Sequence, residues 1–120
     1  MEVLFKPYKE DKSEEFLLYI DGKHVGEVGL DDIFNDRKKS VYIHTLEIYY
    51  YHRGKGYSKI LMEEIEKYAK SRNKTKLRLG VEEDNPIAIK LYQSFGFTIK
   101  EKITDIDDTD DEFFIMTKRL

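Results

Sequence analysis

The chain is expected to fold as an α/β (α+β) domain in which helices pack against a mixed sheet. Three observations predict this. Short β-branched and aromatic stretches, each closed by turn residues, recur along the chain. The apolar spacing changes from strand-like to helical at Gly56, and again after Asn85-Pro86. The resulting order is strand, hairpin, strand, helix, strand, helix, strand, strand, with no repeat or low-complexity linker dividing it.

Taken in order, residues 2–8 (EVLFKPY) read as a first strand, with Pro7 marking an edge or an end. Residues 9–15 are charged and form a solvent-facing turn. FLLYI, the two-residue turn Asp21-Gly22 and KHVGEVGL make a hairpin. Residues 31–39 are polar enough for a loop. Ser40–Tyr50 is a strand in which Val41 and Ile43 keep one parity while Leu46 and Ile48 keep the other. A β-bulge near Thr45 reconciles them, as does a change of burial along the strand. From Gly56 to about Ser71, Ile60, Leu61, Ile65, Tyr68 and Ala69 share one helical face, while Glu63, Glu64, Lys67 and Lys70 lie mostly elsewhere. Arg72-Asn73 ends this helix. Thr75–Val81 is a strand with Leu77, Leu79 and Val81 on one side.

Asn85 at the N-cap and Pro86 at the first helical position start a second helix. Ala88, Leu91, Tyr92 and Phe95 are its inward residues, with Leu91 filling the core, and Gly96 takes the left-handed closing position. Phe97–Ile103 is a strand, Asp105–Glu112 an acid-rich loop, and Phe113–Met116 the start of a last strand towards Leu120.

Composition narrows the function classes. The chain has 120 residues, 40% hydrophobic and 38% charged, with seven Phe and nine Tyr, which suits an ordered globular domain. Without cysteine there is no disulfide scaffold, thiol nucleophile or cysteine metal site, and no metal is expected. Lys and Arg number 21 against 24 Asp and Glu, a net charge of −3, which argues against a general nucleic-acid binder. No apolar run is long enough to span a membrane and the start does not read as a signal peptide, so a cytoplasmic location is expected.

Two segments carry chemistry. Arg53-Gly54-Lys55-Gly56-Tyr57-Ser58 joins a strand to a helix. Its glycines allow a tight turn, and the helix start turns unpaired N–H groups outward, so the loop suits a phosphate or pyrophosphate with Arg53 and Lys55 adding charge. An ordinary glycine-rich connection has the same composition. It is neither a P-loop nor the dinucleotide GxGxxG. In the second segment, Asn85 to Phe97, Tyr92 serves either as a core tyrosine or as a phenol that protonates a leaving group.

In order and about thirty residues apart, these segments resemble the GNAT superfamily of acetyl-CoA-dependent N-acetyltransferases. Its R/Q-x-x-G-x-G/A is similar to Arg53–Ser58, with Ser58 where Gly or Ala is usual. Its L-x-V looks like Leu46-Glu47-Ile48, and its N-x-x-A-x-x-L-Y-x-x-x-G-F is complete from Asn85 to Phe97. The resemblance runs from about Val25 to Phe97, extends towards Leu120, and implies one acetyltransferase domain over residues 1–120 with a mostly antiparallel sheet.

The resemblance also implies a mechanism. Backbone N–H groups from Lys55 to Ser58 hold the pyrophosphate of acetyl-CoA. The fourth and fifth strands splay, and the pantetheine arm pairs with the fourth around Leu46 to Ile48. Asn85 contacts or places the cofactor. The acceptor amine attacks the acetyl carbon directly, and Tyr92 protonates the departing thiolate. Where some relatives carry a fifth-strand glutamate as base, this chain has Gly80. Glu47 is then the first choice for the base, with His44 and Glu82 as alternatives. A bulge at Thr45 would bring His44 and Glu47 to one face.

The family's two helices between the first and second strands have no counterpart in the short stretch Lys9–Glu15. This shortened amino-terminal region leaves the acceptor cleft open, or closed by a homodimer partner or the 31–39 loop. The acceptor is expected to be an amine-bearing small molecule or peptide. The acidic 105–112 loop suits a cationic one, or serves solubility alone. The alternative function is a catalytically inactive acyl-CoA-binding or interaction module.

Overall fold

A computed structural model describes residues 1–9, 12–104 and 112–120. The elements are β1 (Val3–Pro7), β2 (Glu15–Ile20), β3 (Lys23–Asp31), β4 (Ser40–Ile48), α1 (Tyr57–Ser71), β5 (Lys76–Glu82), α2 (Pro86–Ser94), β6 (Thr98–Thr104) and β7 (Glu112–Arg119). The strands form one sheet in the order β1-β2-β3-β4-β5-β7-β6. Every neighbouring pair is antiparallel except β4 and β5. This is the mixed, mostly antiparallel sheet with flanking helices that the sequence predicts.

Local chemistry sets the joints. Asp21 and Gly22 both take positive φ, 50° and 79°, the two-residue turn whose twist matches a hairpin. At Thr45 the expected bulge is present. Glu27 pairs with Glu47 and Gly29 with His44, so two residues of β4, Thr45 and Leu46, stand opposite Val28 alone. Thr45 takes φ 50°, a left-handed conformation that costs a β-branched residue on the order of 1–2 kcal/mol. The extra residue returns Ile48 to the core alongside Val41 and Ile43, and it leaves His44 and Glu47 together on the opposite face.

β4 and β5 pair in register only from Ser40↔Lys76 to Ile43↔Leu79. Beyond that point β5 continues against β7 alone, so the two strands part at the bulge. The crossovers through α1 and α2 lead in the same direction across the sheet. Right-handed connection therefore puts both helices on one face. A shallow groove between them, lined by Lys59, Met62, Ser94 and Lys118 among others, shows them side by side.

The core lies under α1. Leu61, Met62, Ile65 and Ala69 are buried in one cluster with Phe16, Leu18, Val28, Leu30, Val41, Ile43, Leu77 and Leu79. Met62 joins the inward stripe read from the sequence. Phe16 stacks on Phe5 at 5.0 Å between centroids and meets Tyr68 edge-on at 4.7 Å, which ties α1 to the first two strands. The 33–39 connection is held by Lys74, whose buried ammonium donates to the carbonyls of Asn35 and Lys38 at 2.6 Å each. Burial pushes this lysine's pKa down.

One expectation about α2 is corrected. Leu91 does not fill the core; it is 39% exposed. Ala88, Ile89, Tyr92 and Phe95 are the residues that pack inward. Their spacing of one, three and three centres the stripe near Tyr92, and Leu91 falls at its margin. The acidic 105–111 stretch lies outside the described residues. Glu112, at its end, opens β7 and pairs with Lys102 at 2.7 Å. β1 and β2 pair from Val3↔Ile20 to Pro7↔Phe16, joined directly through residues 8–14. Among the described residues no helix covers the sheet face opposite α1 and α2.

Candidate active site

The loop after β4 combines left-handed glycines with an open helix start. A 3₁₀ turn (Tyr50–His52) leads into Gly54 and Gly56, at φ 76° and 78°. A Cβ on either glycine would meet nothing within 4 Å, so their need for glycine is conformational and the space beside them is open. Gly56 is the N-cap of α1, and no side chain caps this end. The first backbone bond of the helix runs from Ile60 N–H to the Gly56 carbonyl. The N–H groups of Tyr57, Ser58 and Lys59 therefore have no partner in the helix ladder and converge with the loop. Lys55 is exposed there, while Tyr57 and Ser58 are half-buried.

Arg53 lies along the end of β4. Its Nε donates to the Ile48 carbonyl at 2.8 Å, and its guanidinium lies 3.8 Å from Glu47 Oε1 and 5.9 Å from the Tyr50 ring centre. The guanidinium is thus folded back on the end of β4. Tyr49 N–H reaches the Val25 carbonyl, so strand alternation turns the N–H and C=O groups of Leu46 and Ile48 to the parted edge. Of these, the Ile48 carbonyl is already held by Arg53.

On the other side of the gap, Asn85 Oδ1 accepts from Ala88 N–H at 3.1 Å and caps α2. That oxygen is committed to the helix. Tyr92 is half-buried and edge-on to Phe97 at 6.1 Å. Burial holds its phenol pKa above the ordinary value of 10.0. It therefore keeps its proton through the neutral range, so the group present there is the phenol and not the phenolate.

The uncovered face carries the remaining polar groups. Tyr19 stacks on His24 at 5.1 Å, and Tyr49 donates its hydroxyl towards His24 Nε2 or accepts from it at 3.1 Å. Burial, with the charges of Glu27 and Glu47, raises the Tyr49 pKa. His44 lies further along β4, opposite Gly29. Its Nε2 lies 3.0 Å from Asp31 Oδ1 and its Nδ1 3.0 Å from Thr45 Oγ1. Tyr42 lies over Gly80, where an added Cβ would stand 2.7 Å from the phenol oxygen. A longer side chain at position 80 would require the Tyr42 ring to shift. Glu82 is exposed at the end of β5.

Sequence reasoning had placed Asp31 in the loop and left Gly29 as part of a hairpin. The usable signal was glycine in a strand interior, which marks a close approach of another group.

The acetyltransferase (GNAT) family model matches residues 1–97. Streptothricin acetyltransferase of Escherichia coli is 33% identical over 93 residues, which is 75% of this chain and 52% of that protein. The chain thus spans about half the length of this curated relative. A spermidine N-acetyltransferase from Vibrio cholerae, solved with CoA and spermine, superposes with a TM-score of 0.75 at 24% identity, over 88% of this chain and 64% of that one. A GNAT family acetyltransferase from Elizabethkingia anophelis, solved with acetyl-CoA bound, gives 0.74 at 17% identity, over 88% and 75%. At these identities the structural likeness speaks for the fold. Together with the family match over most of the sequence, it shows that the chain belongs to the GNAT family of acetyltransferases.

Proposed function

We propose that the protein is an N-acetyltransferase that moves the acetyl group of acetyl-CoA directly to a primary amine. What supports this reading is the parting of β4 from β5 beyond Ile43↔Leu79, with one feature on the segment that follows each strand. One is an uncapped helix start behind two glycines in left-handed conformation. The other is a phenol held protonated by burial. The loop from Lys55 to Ser58 binds the pyrophosphate, and the turned-out groups of Leu46 and Ile48 orient the pantetheine arm. Binding displaces or shares the Arg53 contact to Ile48, while Gly54 and Gly56 let the backbone approach. Asn85 acts by setting the start of α2, and so the position of Tyr92.

The acceptor amine comes from the uncovered face. It is a small molecule or peptide end, and the Glu27, Glu47 and Asp31 carboxylates there favour a cationic one. Relatives named for spermidine and spermine support the same class. Two groups on that face, Glu47 and His44, are the candidates for receiving the amine's proton. The family resemblance favours Glu47. We place the single domain over residues 1–120, in the cytoplasm and as a homodimer that covers part of the open face, acting without metal, nucleic acid or membrane.

Calorimetric titration tests the donor site. Saturable binding of acetyl-CoA, with ATP silent, is the expected outcome, and folded protein that binds no acetyl-CoA would contradict it. Binding without turnover on any amine would instead establish the inactive module.

A further inference from the structure

We propose that His44, oriented by Asp31 and reached through the Thr45 hydroxyl, is the proton acceptor for the incoming amine. The inference rests on the acetyl-transfer reading and goes beyond it by assigning the base.

Four independent features converge on this one imidazole. Gly29 stands opposite His44 in the middle of β3, and a Cβ there would fall against the imidazole ring atoms. Glycine weakens a strand interior, yet here it makes the recess in which the ring lies. Thr45, the next residue, carries positive φ at the bulge, and His44 faces the uncovered side by alternation with buried Ile43. Asp31, at the end of β3, holds Nε2 at 3.0 Å. Thr45 Oγ1 lies 3.0 Å from Nδ1.

These partners assign the tautomer. The carboxylate only accepts, so Nε2 carries the hydrogen and Nδ1 presents its lone pair to the Thr45 hydroxyl. The array stands where β4 leaves β5, which is where an acetyl thioester lying along the parted edge would end. Glu47, by contrast, is drawn towards the Arg53 guanidinium at 3.8 Å. An open groove of about 370 Å³, lined by Tyr8, Lys9, Ser13, Glu14, Glu15, Asp31 and His44, opens the imidazole to solvent.

The step balances. The neutral amine's lone pair forms the N–C bond as the carbonyl π pair moves to oxygen. The amine proton passes to Thr45 Oγ1 while the hydroxyl proton passes to His44 Nδ1, giving an imidazolium beside Asp31. The carbonyl reforms, the C–S bond breaks, and the thiolate takes the proton of Tyr92. Exchange with solvent then resets both groups.

The test compares full-chain wild type, His44→Gly, His44→Gln, Gly29→Ala, Asp31→Asn and Glu47→Gln. CoA release is measured with a panel of primary amines, with and without free imidazole, and acetyl-CoA affinity is measured by calorimetry. His44→Gly should lower kcat by about 10²–10⁴ with acetyl-CoA affinity kept, and free imidazole should restore part of the rate in the vacated recess. His44→Gln, which fills the recess, should lose the rate without rescue. Gly29→Ala and Asp31→Asn should lower kcat and leave the KM for acetyl-CoA unchanged. Glu47→Gln should lose less than His44→Gly.

A folded His44→Gly or His44→Gln protein that turns over like wild type would overturn the assignment. So would a larger loss at Glu47 with no imidazole rescue at His44. Wild type that releases no CoA with any amine would instead sink the acetyl-transfer reading itself, and the assignment with it.

Discussion

Tyr92 acts through where it is rather than through any partner's charge. Desolvation alone raises its pKa above 10.0, so the phenol is neutral at neutral pH, the form in which the proposed function uses it as a proton donor. Tyr92→Phe keeps the ring against Phe97 and removes the hydroxyl. We expect kcat to fall by about 10²–10⁴ with the acetyl-CoA dissociation constant nearly unchanged, as steady-state rates and calorimetry would check. The same shift has a sign for stability. Below pH 10 both folded and unfolded chains hold the proton, whereas above it the unfolded chain releases it first. Stability contributed by Tyr92 is thus fully present below about pH 10 and is lost as the pH climbs through the raised value. Urea melts at about pH 9 and 11 should show a smaller alkaline loss in Tyr92→Phe than in wild type; equal losses would contradict the burial argument. At this scale the sequence revealed the residue type and spacing of Tyr92, Asn85 and the glycine loop. It did not reveal that Arg53 turns back to Ile48, because that depends on how a side chain settles across a turn. Nor did it reveal the His44 recess, which needs the β3–β4 register to place Gly29 beneath the ring.

At the scale of elements, the bulge is the device on which the site depends. It was legible as a slip of apolar parity between Ile43 and Leu46, because a one-residue insertion exchanges the two faces of a strand. The helix starting at Gly56 was equally legible, since period and punctuation agree there. Leu91 was misplaced because α2 is a nine-residue helix with no fully buried residue, so small rotations about its axis decide which apolar side chain stays outside. Two substitutions probe this level. Gly56→Ala forces a left-handed Ala at the start of α1, which should cost about 1 kcal/mol of stability and weaken acetyl-CoA binding several-fold, as melts and calorimetry would show. Phe16→Ala empties the ring cluster joining β1, β2 and α1, and should cost about 3–5 kcal/mol in urea unfolding. A loss under 1 kcal/mol would mean that α1 is held elsewhere.

The whole molecule is asymmetric across its sheet. One face carries both helices and the core, and the other presents Tyr19, His24, Glu27, Tyr42, His44 and Glu47 with no helix above them among the described residues. That asymmetry follows from the short 8–14 connection, and the sequence already implied it. In the proposed function, donor and acceptor approach from different sides, the donor past α1 and the acceptor over the open face. If a second copy covers part of that face, sedimentation at two concentrations should show a species of twice 14.3 kDa, and a single 14.3 kDa species at both would contradict the homodimer. The most direct measurement of the central claim is amine-dependent release of the CoA thiol from acetyl-CoA, followed by mass analysis of the amine. The account predicts thiol release that requires the amine, matched by one added acetyl group on it. Thiol release without an acetylated amine, or none with any amine despite bound acetyl-CoA, would contradict it.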